Sequence, residues 1–170
     1  MTFHRAKMLC AAAGVAMVTA VATPAFAILQ TGDAAPAIRV TTTSGQKVTL
    51  ANYRGYVLVI DFFATWCGPC KEAIPHLNDL VRKYGKDGLQ VLGLSVDDDG
   101  EKGVREFCAA RRLSYPVAVV DEDLQTDYGI RSVPTLYVIN KKGVVAGKFQ
   151  GYSEETGNSI ETLVKKLLAE

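Results

Sequence analysis

Residues 56–70 read Tyr56-Val-Leu-Val-Ile-Asp-Phe-Phe-Ala-Thr-Trp-Cys-Gly-Pro-Cys70. The first eight of them form an almost unbroken apolar run, which is typical of a central β-strand buried on both faces. Beyond the second cysteine, apolar residues recur with the 3.6-residue period of a helix, and Gly85 and Gly88 end that pattern. This part of the chain therefore predicts a buried strand, a short loop with two cysteines, and a helix that begins at those cysteines.

Strand and helix patterns alternate along the rest of the chain. The sequence predicts further strands at 38–40, 48–50, 89–96, 117–120, 135–139 and 144–149, and further helices at 101–112 and 160–168. Ser44-Gly45 and Lys142-Gly143 supply the turns of two predicted hairpins. The order predicts an α/β fold in which helices flank a mixed sheet, parallel at its centre and antiparallel at one edge.

The first 27 residues differ in character from the rest. Arg5 and Lys7 precede an apolar run from Met8 to Val21 without a charged residue, and Ala25-Phe-Ala27 places small residues where a signal peptidase reads them. This layout predicts a secretory signal peptide at 1–27 and a single domain at 28–170, in the periplasm or otherwise exported. The alternative is an uncleaved membrane anchor, although spanning a bilayer takes roughly 20 apolar residues.

Composition and charge limit the classes of partner. The 170-residue chain is 48% hydrophobic and 22% charged, as expected for a globular domain. Without the two basic residues of the leader, 17 basic residues stand against 18 acidic ones. A near-neutral domain without a basic run has no electrostatic reason to bind nucleic acid or an anionic membrane.

Three cysteines remain beyond the leader: Cys67, Cys70 and Cys108. Because three is an odd number and two of them are three residues apart, the sequence predicts a reactive pair rather than a disulfide framework. The helix N-terminus should lower the pKa of Cys67 below that of a free thiol, since its dipole and free N–H groups favour an anion. Cys70 lies one turn further on, on the apolar side. The predicted chemistry is thiol–disulfide exchange.

Two other uses of this pair are less consistent with the sequence. A structural zinc site needs four ligands, and only Cys108 and His76 remain to complete it. An inert disulfide between such close residues closes a very small loop and stabilises little. We interpret Cys108 as a buried small hydrophobe and His76 as a surface residue, and we expect neither a metal nor another cofactor.

Two segments resemble a known family. Trp66-Cys-Gly-Pro-Cys-Lys71 after Asp61-Phe-Phe-Ala resembles the active-site signature of thioredoxin, and Tyr128-Gly-Ile-Arg-Ser-Val-Pro-Thr-Leu136 resembles its cis-proline segment. An added hairpin at 38–50 and an added helix and strand within 97–127 make the chain similar to the TlpA/ResA-like exported thiol–disulfide reductases, including those of cytochrome c maturation. The resemblance covers about residues 32–170.

The resemblance implies a role for each matching residue. Cys67 would attack, Cys70 would resolve, and Asp61, with a pKa raised by burial, would accept the proton of Cys70. Pro134 would be the cis-proline that presents the Val133 backbone to a substrate peptide. The implied substrate-binding residues are Trp66, Gly68, Pro69, Val133 and Pro134.

Some members of this family use an acid elsewhere. Asp97 and Asp98, at the end of the 89–96 strand, are candidates for such an acid in this sequence. The simpler interpretation, which we favour, is that both are solvated loop acids before a helix.

The dipeptide between the cysteines predicts the direction of electron flow. Gly68-Pro69 is the pairing of reducing thioredoxins, which lie about 150 mV, or about 7 kcal/mol for two electrons, below the strong oxidants. We therefore expect a monomeric reductase of disulfide-containing exported proteins that a membrane electron donor keeps reduced. The alternatives are a disulfide oxidase or isomerase on the same fold, or a copper-binding assembly module.

Overall fold

A computed structural model describes residues 29–98 and 100–170 of the chain, so the predicted signal peptide at 1–27 lies outside the described residues. Within these ranges the strands are β1 (Arg39–Thr41), β2 (Lys47–Thr49), β3 (Val57–Phe63), β4 (Leu89–Ser95), β5 (Val117–Val119), β6 (Thr135–Ile139) and β7 (Val145–Gln150). The helices are α1 (Gly68–Tyr84), α2 (Glu101–Arg111), α3 (Glu122–Asp127) and α4 (Glu154–Leu168). None of these helices is long and apolar enough to cross a membrane.

Five strands form the central sheet in the order β5-β4-β3-β6-β7. Strands β3, β4 and β5 are mutually parallel, whereas β6 runs antiparallel to both β3 and β7. The predicted mixed sheet is therefore present. The β1–β2 hairpin forms a separate two-stranded sheet, and a bridge between Thr42 and Ala118 holds it beside the edge strand β5.

Strand β3 is the centre of the core, because all of its residues are buried. Successive side chains of a strand point to opposite faces, so Val57, Val59 and Phe63 face one layer while Leu58, Ile60 and Phe62 face the other. Helices α1 and α4 cover the first face. The β1–β2 hairpin, α3 and Tyr128 cover the second, in which Tyr137 of β6 also lies. Two covered faces explain the unbroken apolar run in this strand.

Helix α1 starts where the cysteine pair predicts it. Cys67 is its N-cap and Pro69 lies in its first turn, where the missing N–H of proline leaves no hydrogen bond unmade. The helix continues through Pro75 to Tyr84. A short 3-10 turn at Gly85–Asp87 follows, and Gly88, at φ 105°, leads the chain into β4.

Helix α3 has no counterpart among the elements predicted from the sequence pattern. It has only six residues, and the Asp121 side chain caps it by accepting a hydrogen bond from the Leu124 N–H at 2.9 Å. Six residues are fewer than two helical turns, which is too short for a 3.6-residue period to emerge.

Candidate active site

Cys67 and Cys70 form a disulfide just beyond the carboxyl end of β3. The S–S distance is 2.08 Å and the Cα–Cα distance is 5.3 Å. The buried strand fixes the start of the loop and α1 fixes its end, so both sulfur atoms lie at the junction of a rigid strand and a rigid helix. A disulfide between the two predicted cysteines is the central feature of the site.

The two sulfur atoms differ in their surroundings. Cys67 caps α1, and its Sγ accepts a hydrogen bond from the Cys70 N–H at 3.2 Å. Cys67 is 5% exposed, whereas Cys70 is fully buried. A backbone N–H and the helix dipole both favour negative charge on the Cys67 sulfur once the bond is reduced. An external thiol or disulfide can therefore meet Cys67 but not Cys70.

The surface around the disulfide is formed by the neighbouring residues of the motif. The Trp66 side chain is 70% exposed, which is unusual for so large a hydrophobic group. Gly68 and Pro69 are exposed as well. These residues present an open, partly apolar surface next to Cys67.

Asp61 is a buried carboxyl on the same strand. It is 1% exposed, and burial raises the pKa of Asp61 to about 7. Its Oδ1 has no hydrogen-bond partner among the described residues. By strand alternation the side chain faces the layer that contains α1 and Cys70. A carboxyl with this pKa can take up or release a proton near neutral pH.

The segment before β6 lies at the same edge of the sheet as the cysteines. Thr135, the first residue of β6, pairs with Phe62 near the end of β3, so Val133 and Pro134 lie beside the carboxyl end of β3. The peptide bond between Val133 and Pro134 is cis. The Pro134 carbonyl accepts a hydrogen bond from the Gly151 N–H at 2.8 Å, whereas within the described part of the chain the Val133 N–H and carbonyl have no hydrogen-bond partner.

Asp97 is buried, contrary to its predicted place as a solvated loop acid. It is 6% exposed, and its carboxylate accepts hydrogen bonds from the Thr65 N–H, the Thr65 hydroxyl and the Ser95 hydroxyl. The favoured interpretation was wrong because the carboxyl ends of two parallel strands meet at one edge of the sheet. The pairing of Phe63 with Ser95 brings Thr65 next to Asp97, and each lies two residues beyond its strand. No local sequence pattern marks this contact, because the offset becomes visible only from the register of β3 against β4. Asp98 is exposed.

The burial of two other residues, Cys108 and His76, differs from the prediction made from the sequence. Cys108 is half-buried rather than fully buried, and burial raises the pKa of its thiol to about 11. His76, expected at the surface, is half-buried against α4, with its ring 6.2 Å from that of Tyr152. Burial lowers the pKa of His76. Across the described ranges, no group of three or more histidine, cysteine or acidic side chains is arranged to bind a metal ion.

A disulfide that is reachable through one sulfur, held at a helix N-terminus with a titratable carboxyl in the adjoining core, is suited to exchanging electrons with other dithiols. The class of protein that this fold and site define is a thioredoxin-like thiol–disulfide oxidoreductase. The redoxin family model matches residues 30–167, and the chain belongs to that family.

Individual relatives agree with this assignment. The thiol–disulfide oxidoreductase ResA of Bacillus thuringiensis is 31% identical over 140 residues, which cover 82% of this chain and 79% of ResA. The thioredoxin-like protein YneN of Bacillus subtilis is 33% identical over 119 residues, 69% of each chain. A crystal structure of a candidate thiol:disulfide interchange protein DsbE from Chlorobium tepidum aligns with a TM-score of 0.78 at 28% identity, covering 82% of this chain and 99% of that one.

These similarities confirm the principal predictions from the sequence. The fold is the predicted mixed α/β, thioredoxin-like fold, and the chain is a TlpA/ResA-like thiol–disulfide oxidoreductase, an enzyme of the protein-disulfide reductase class. The Cys67–Cys70 pair is its redox-type disulfide.

Proposed function

We propose that this protein reduces disulfide bonds of exported proteins, with the Cys67–Cys70 dithiol as the electron source. Residues 1–27 act as the signal peptide, and residues 28–170 are the working domain in the periplasm or an equivalent exported compartment. An uncleaved leader would instead anchor the same domain at the membrane. Gly68-Pro69 between the cysteines favours a reducing dithiol over an oxidising one.

The first step is attack by the Cys67 thiolate on a substrate disulfide. A bond forms between Cys67 Sγ and one substrate sulfur, the substrate S–S bond breaks, and the other substrate sulfur leaves as a thiolate. Cys67 is the attacking residue because, of the two cysteines, it alone keeps some exposed surface, 5%, and because the α1 N-terminus stabilises its charge. The product is a mixed disulfide between enzyme and substrate.

The second step releases the substrate. Asp61 accepts the proton of the Cys70 thiol, and the resulting Cys70 thiolate attacks Cys67 Sγ. The Cys67–Cys70 disulfide forms, the second substrate thiolate leaves, and two electrons have passed to the substrate. The raised pKa of Asp61, about 7, makes it a base of suitable strength near neutral pH.

Substrate binding uses the surface around the disulfide. An extended substrate segment can pair with the Val133 N–H and carbonyl as an added strand, since these groups have no partner within the described part of the chain. The exposed indole of Trp66, with the exposed Gly68 and Pro69, provides the apolar contact next to the reacting sulfur. Pro134 is buried, and its part in substrate binding is to present the Val133 backbone.

Restoring the dithiol requires a donor. In an oxidising compartment we assign this role to a membrane-bound dithiol that transfers two electrons to the Cys67–Cys70 disulfide. Among exported substrates, the haem-site disulfide of an apocytochrome c fits a reductase with this family resemblance, which gives the protein a place in cytochrome c maturation. We expect the enzyme to act as a monomer.

The observation that carries this proposal is the asymmetry of the disulfide, in which Cys67 keeps 5% of its surface exposed at the N-terminus of α1 while Cys70 is fully buried. Cys70→Ser leaves the attacking thiol without its resolving partner, so mixed disulfides should accumulate on Cys67 when the variant is exported in cells. Cys67→Ser is the matched control and should trap nothing. Mass spectrometry of the adducts identifies the substrates.

Several outcomes would contradict the proposal. An absence of adducts on Cys70→Ser would exclude disulfide reduction in that compartment. A reduction potential as high as that of the strong oxidants, about −120 mV, would favour an oxidase or isomerase. Stoichiometric copper binding by the reduced protein would favour the copper-binding module.

A further inference from the structure

The loop that leads into the active site is a closed turn. The Cys67 N–H donates to the Ala64 carbonyl at 3.2 Å, so residues 64–67 form a single turn between β3 and α1. Trp66 and Cys67 occupy the second half of this turn. Whatever fixes the first half therefore sets where the exposed indole and the reactive sulfur lie.

Asp97, which lies two residues beyond β4, contacts Thr65 in the first half of the turn. Its Oδ2 accepts the Thr65 N–H at 2.9 Å, and its Oδ1 accepts the Thr65 hydroxyl at 2.6 Å. Hydroxyl-to-carboxylate bonds of this length belong to the strong, charge-assisted class. The backbone and the side chain of Thr65 are thus both tied to one carboxylate.

The carboxylate is itself held in place. The Ser95 hydroxyl donates to Asp97 Oδ2 at 2.6 Å, and the Asp97 N–H donates back to the Ser95 oxygen at 3.2 Å. The Val96 N–H also donates to the Phe63 carbonyl at 2.9 Å, which joins the ends of β3 and β4. Asp97 is therefore a fixed group at the joined carboxyl ends of β3 and β4.

We propose that Asp97 is a positioning residue of the redox site, which acts through Thr65 to hold the 64–67 turn and so places Trp66 and Cys67 for attack on the substrate. The inference rests on the reductase role proposed above. It predicts that loss of either partner of the Asp97–Thr65 contact slows the reaction at Cys67. A displacement of about 1 Å in a reacting group can cost up to about 100-fold in rate.

The variants that separate this role from a general structural one are Asp97→Asn, Thr65→Val and Thr65→Ser. Asp97→Asn turns one acceptor into a donor that opposes the Thr65 and Ser95 donors. Thr65→Val keeps the shape of the side chain and changes no charge, and Thr65→Ser restores the hydroxyl. Asp98→Asn is the matched control, since Asp98 is the exposed neighbour with the same charge.

Three measurements on each variant test the proposal. The first is the single-turnover rate at which the fully reduced, full-length chain reduces insulin disulfides. The second is the rate of iodoacetamide alkylation of Cys67. The third is the fluorescence anisotropy of Trp66, the only tryptophan of the chain. Asp97→Asn and Thr65→Val should lower both rates by roughly 10-fold or more and lower the anisotropy. Thr65→Ser should recover most of the loss, and Asp98→Asn should behave as the wild type.

An electrostatic effect of the Asp97 charge is a rival explanation, and it predicts the opposite change in the alkylation rate of Cys67. Removal of a negative charge near Cys67 favours its thiolate, so a purely electrostatic role would make alkylation faster in Asp97→Asn and leave Thr65→Val unchanged. That result would overturn the inference. The inference would also be overturned if Asp97→Asn and Thr65→Val both kept the wild-type anisotropy and rates, whether or not their melting temperatures fell. If the wild-type chain itself reduced no disulfide, the proposed function would fail instead.

Discussion

Asp61 on β3 lies directly opposite Gly93 on β4, and the ring of Tyr115 occupies the space beside Gly93 where a side chain would be. A Cβ at Gly93 would be 2.9 Å from Val117 Cγ2, 3.2 Å from Phe63 Cε1 and 3.3 Å from Tyr115 Cε2. The glycine is therefore required by close packing. It lets the rings of Phe63 and Tyr115 pack closely on β4 beside the position that pairs with the buried Asp61.

Gly93→Ala should destabilise the protein. The added methyl group meets three packed side chains, and such overpacking costs about 1–3 kcal/mol in the free energy of unfolding. Gly103→Ala is the control, because Gly103 lies in α2 with nothing within 4 Å of the added carbon. That substitution should stabilise the protein by up to about 1 kcal/mol. Urea titrations of both variants test the expectation, and an equal effect of the two would contradict it.

The buried carboxyl should make stability fall as the pH rises. Asp61 has an ordinary pKa when the chain is unfolded and a pKa of about 7 when it is folded, so between about pH 4 and pH 7 the folded state binds more protons. Its contribution is fully present below pH 4 and is lost as the pH rises through 7. A rise of the Asp61 pKa from 3.8 to about 7 corresponds to a loss of about 4 kcal/mol in the free energy of unfolding.

Asp61→Asn removes this titration. The free energy of unfolding of the oxidised variant, measured in urea from about pH 4 to pH 8, should depend less on pH than that of the wild type. The two free energies should converge as the pH falls, because Asp61 is then protonated and uncharged like asparagine. Asp98→Asn removes an exposed acid and should leave the wild-type curve in place. Parallel curves for wild type and Asp61→Asn would mean that Asp61 titrates normally in the folded protein.

The parts of the fold that could be predicted are those encoded by neighbouring residues. The apolar run of β3 and the 3.6-residue period of α1 are local patterns, and they locate Cys67 at a helix N-terminus without knowledge of the sheet. The burial of Asp61 follows from the same run, since an acid in a strand covered on both faces has no access to water.

The parts that could not be predicted depend on residues distant in sequence. Asp97 and Thr65 are 32 positions apart, and their contact follows from the register of β3 against β4, which neither strand encodes alone. Tyr115 reaches the space beside Gly93 by the same kind of long-range packing. A periodic pattern identifies elements, but it does not show which side chains meet at their ends.

Cys108 should take no part in the reaction. With a thiol pKa of about 11, only about one molecule in a thousand carries the Cys108 thiolate at pH 8. Iodoacetamide should therefore modify Cys67 of the reduced protein well before Cys108, and Cys108→Ala should leave the single-turnover rate unchanged. Cys67→Ser, which should abolish the fast alkylation phase, is the control. A slower turnover in Cys108→Ala would assign this thiol a redox role.

Trp66 should matter for protein substrates and not for stability. Because its side chain is 70% exposed, Trp66→Ala should change the free energy of unfolding by less than about 0.5 kcal/mol. Loss of an aromatic contact at a binding surface should lower kcat/KM for insulin by roughly 10-fold while reduction of hydroxyethyl disulfide stays unchanged.

Tyr56→Ala provides the comparison for Trp66→Ala. Within residues 29–98 and 100–170, Tyr56 is the other large exposed hydrophobic residue, 43% exposed, and it lies before the start of β3, at the far end of the strand from the cysteines. Tyr56→Ala should leave both kcat/KM for insulin and the rate of hydroxyethyl disulfide reduction unchanged. Equal effects of the two substitutions would show that the indole has no specific place in substrate binding.

The decay of the mixed disulfide should depend on Asp61. In the second step the Cys70 proton passes to the Asp61 carboxylate, so the rate should rise with pH as that carboxylate ionises and should level off above about pH 7. Asp61→Asn should lose this inflection and slow the step by roughly 100-fold or more, because general-base assistance of this kind is worth about 10²–10⁴. The measurement is the release of a thiol from Cys67 loaded with nitrothiobenzoate, followed by absorbance. Formation of that adduct, which uses Cys67 alone, should be nearly unaffected and is the internal control. If both steps slowed equally, Asp61 would be acting on the structure of the site, and another group would have to accept the proton of Cys70.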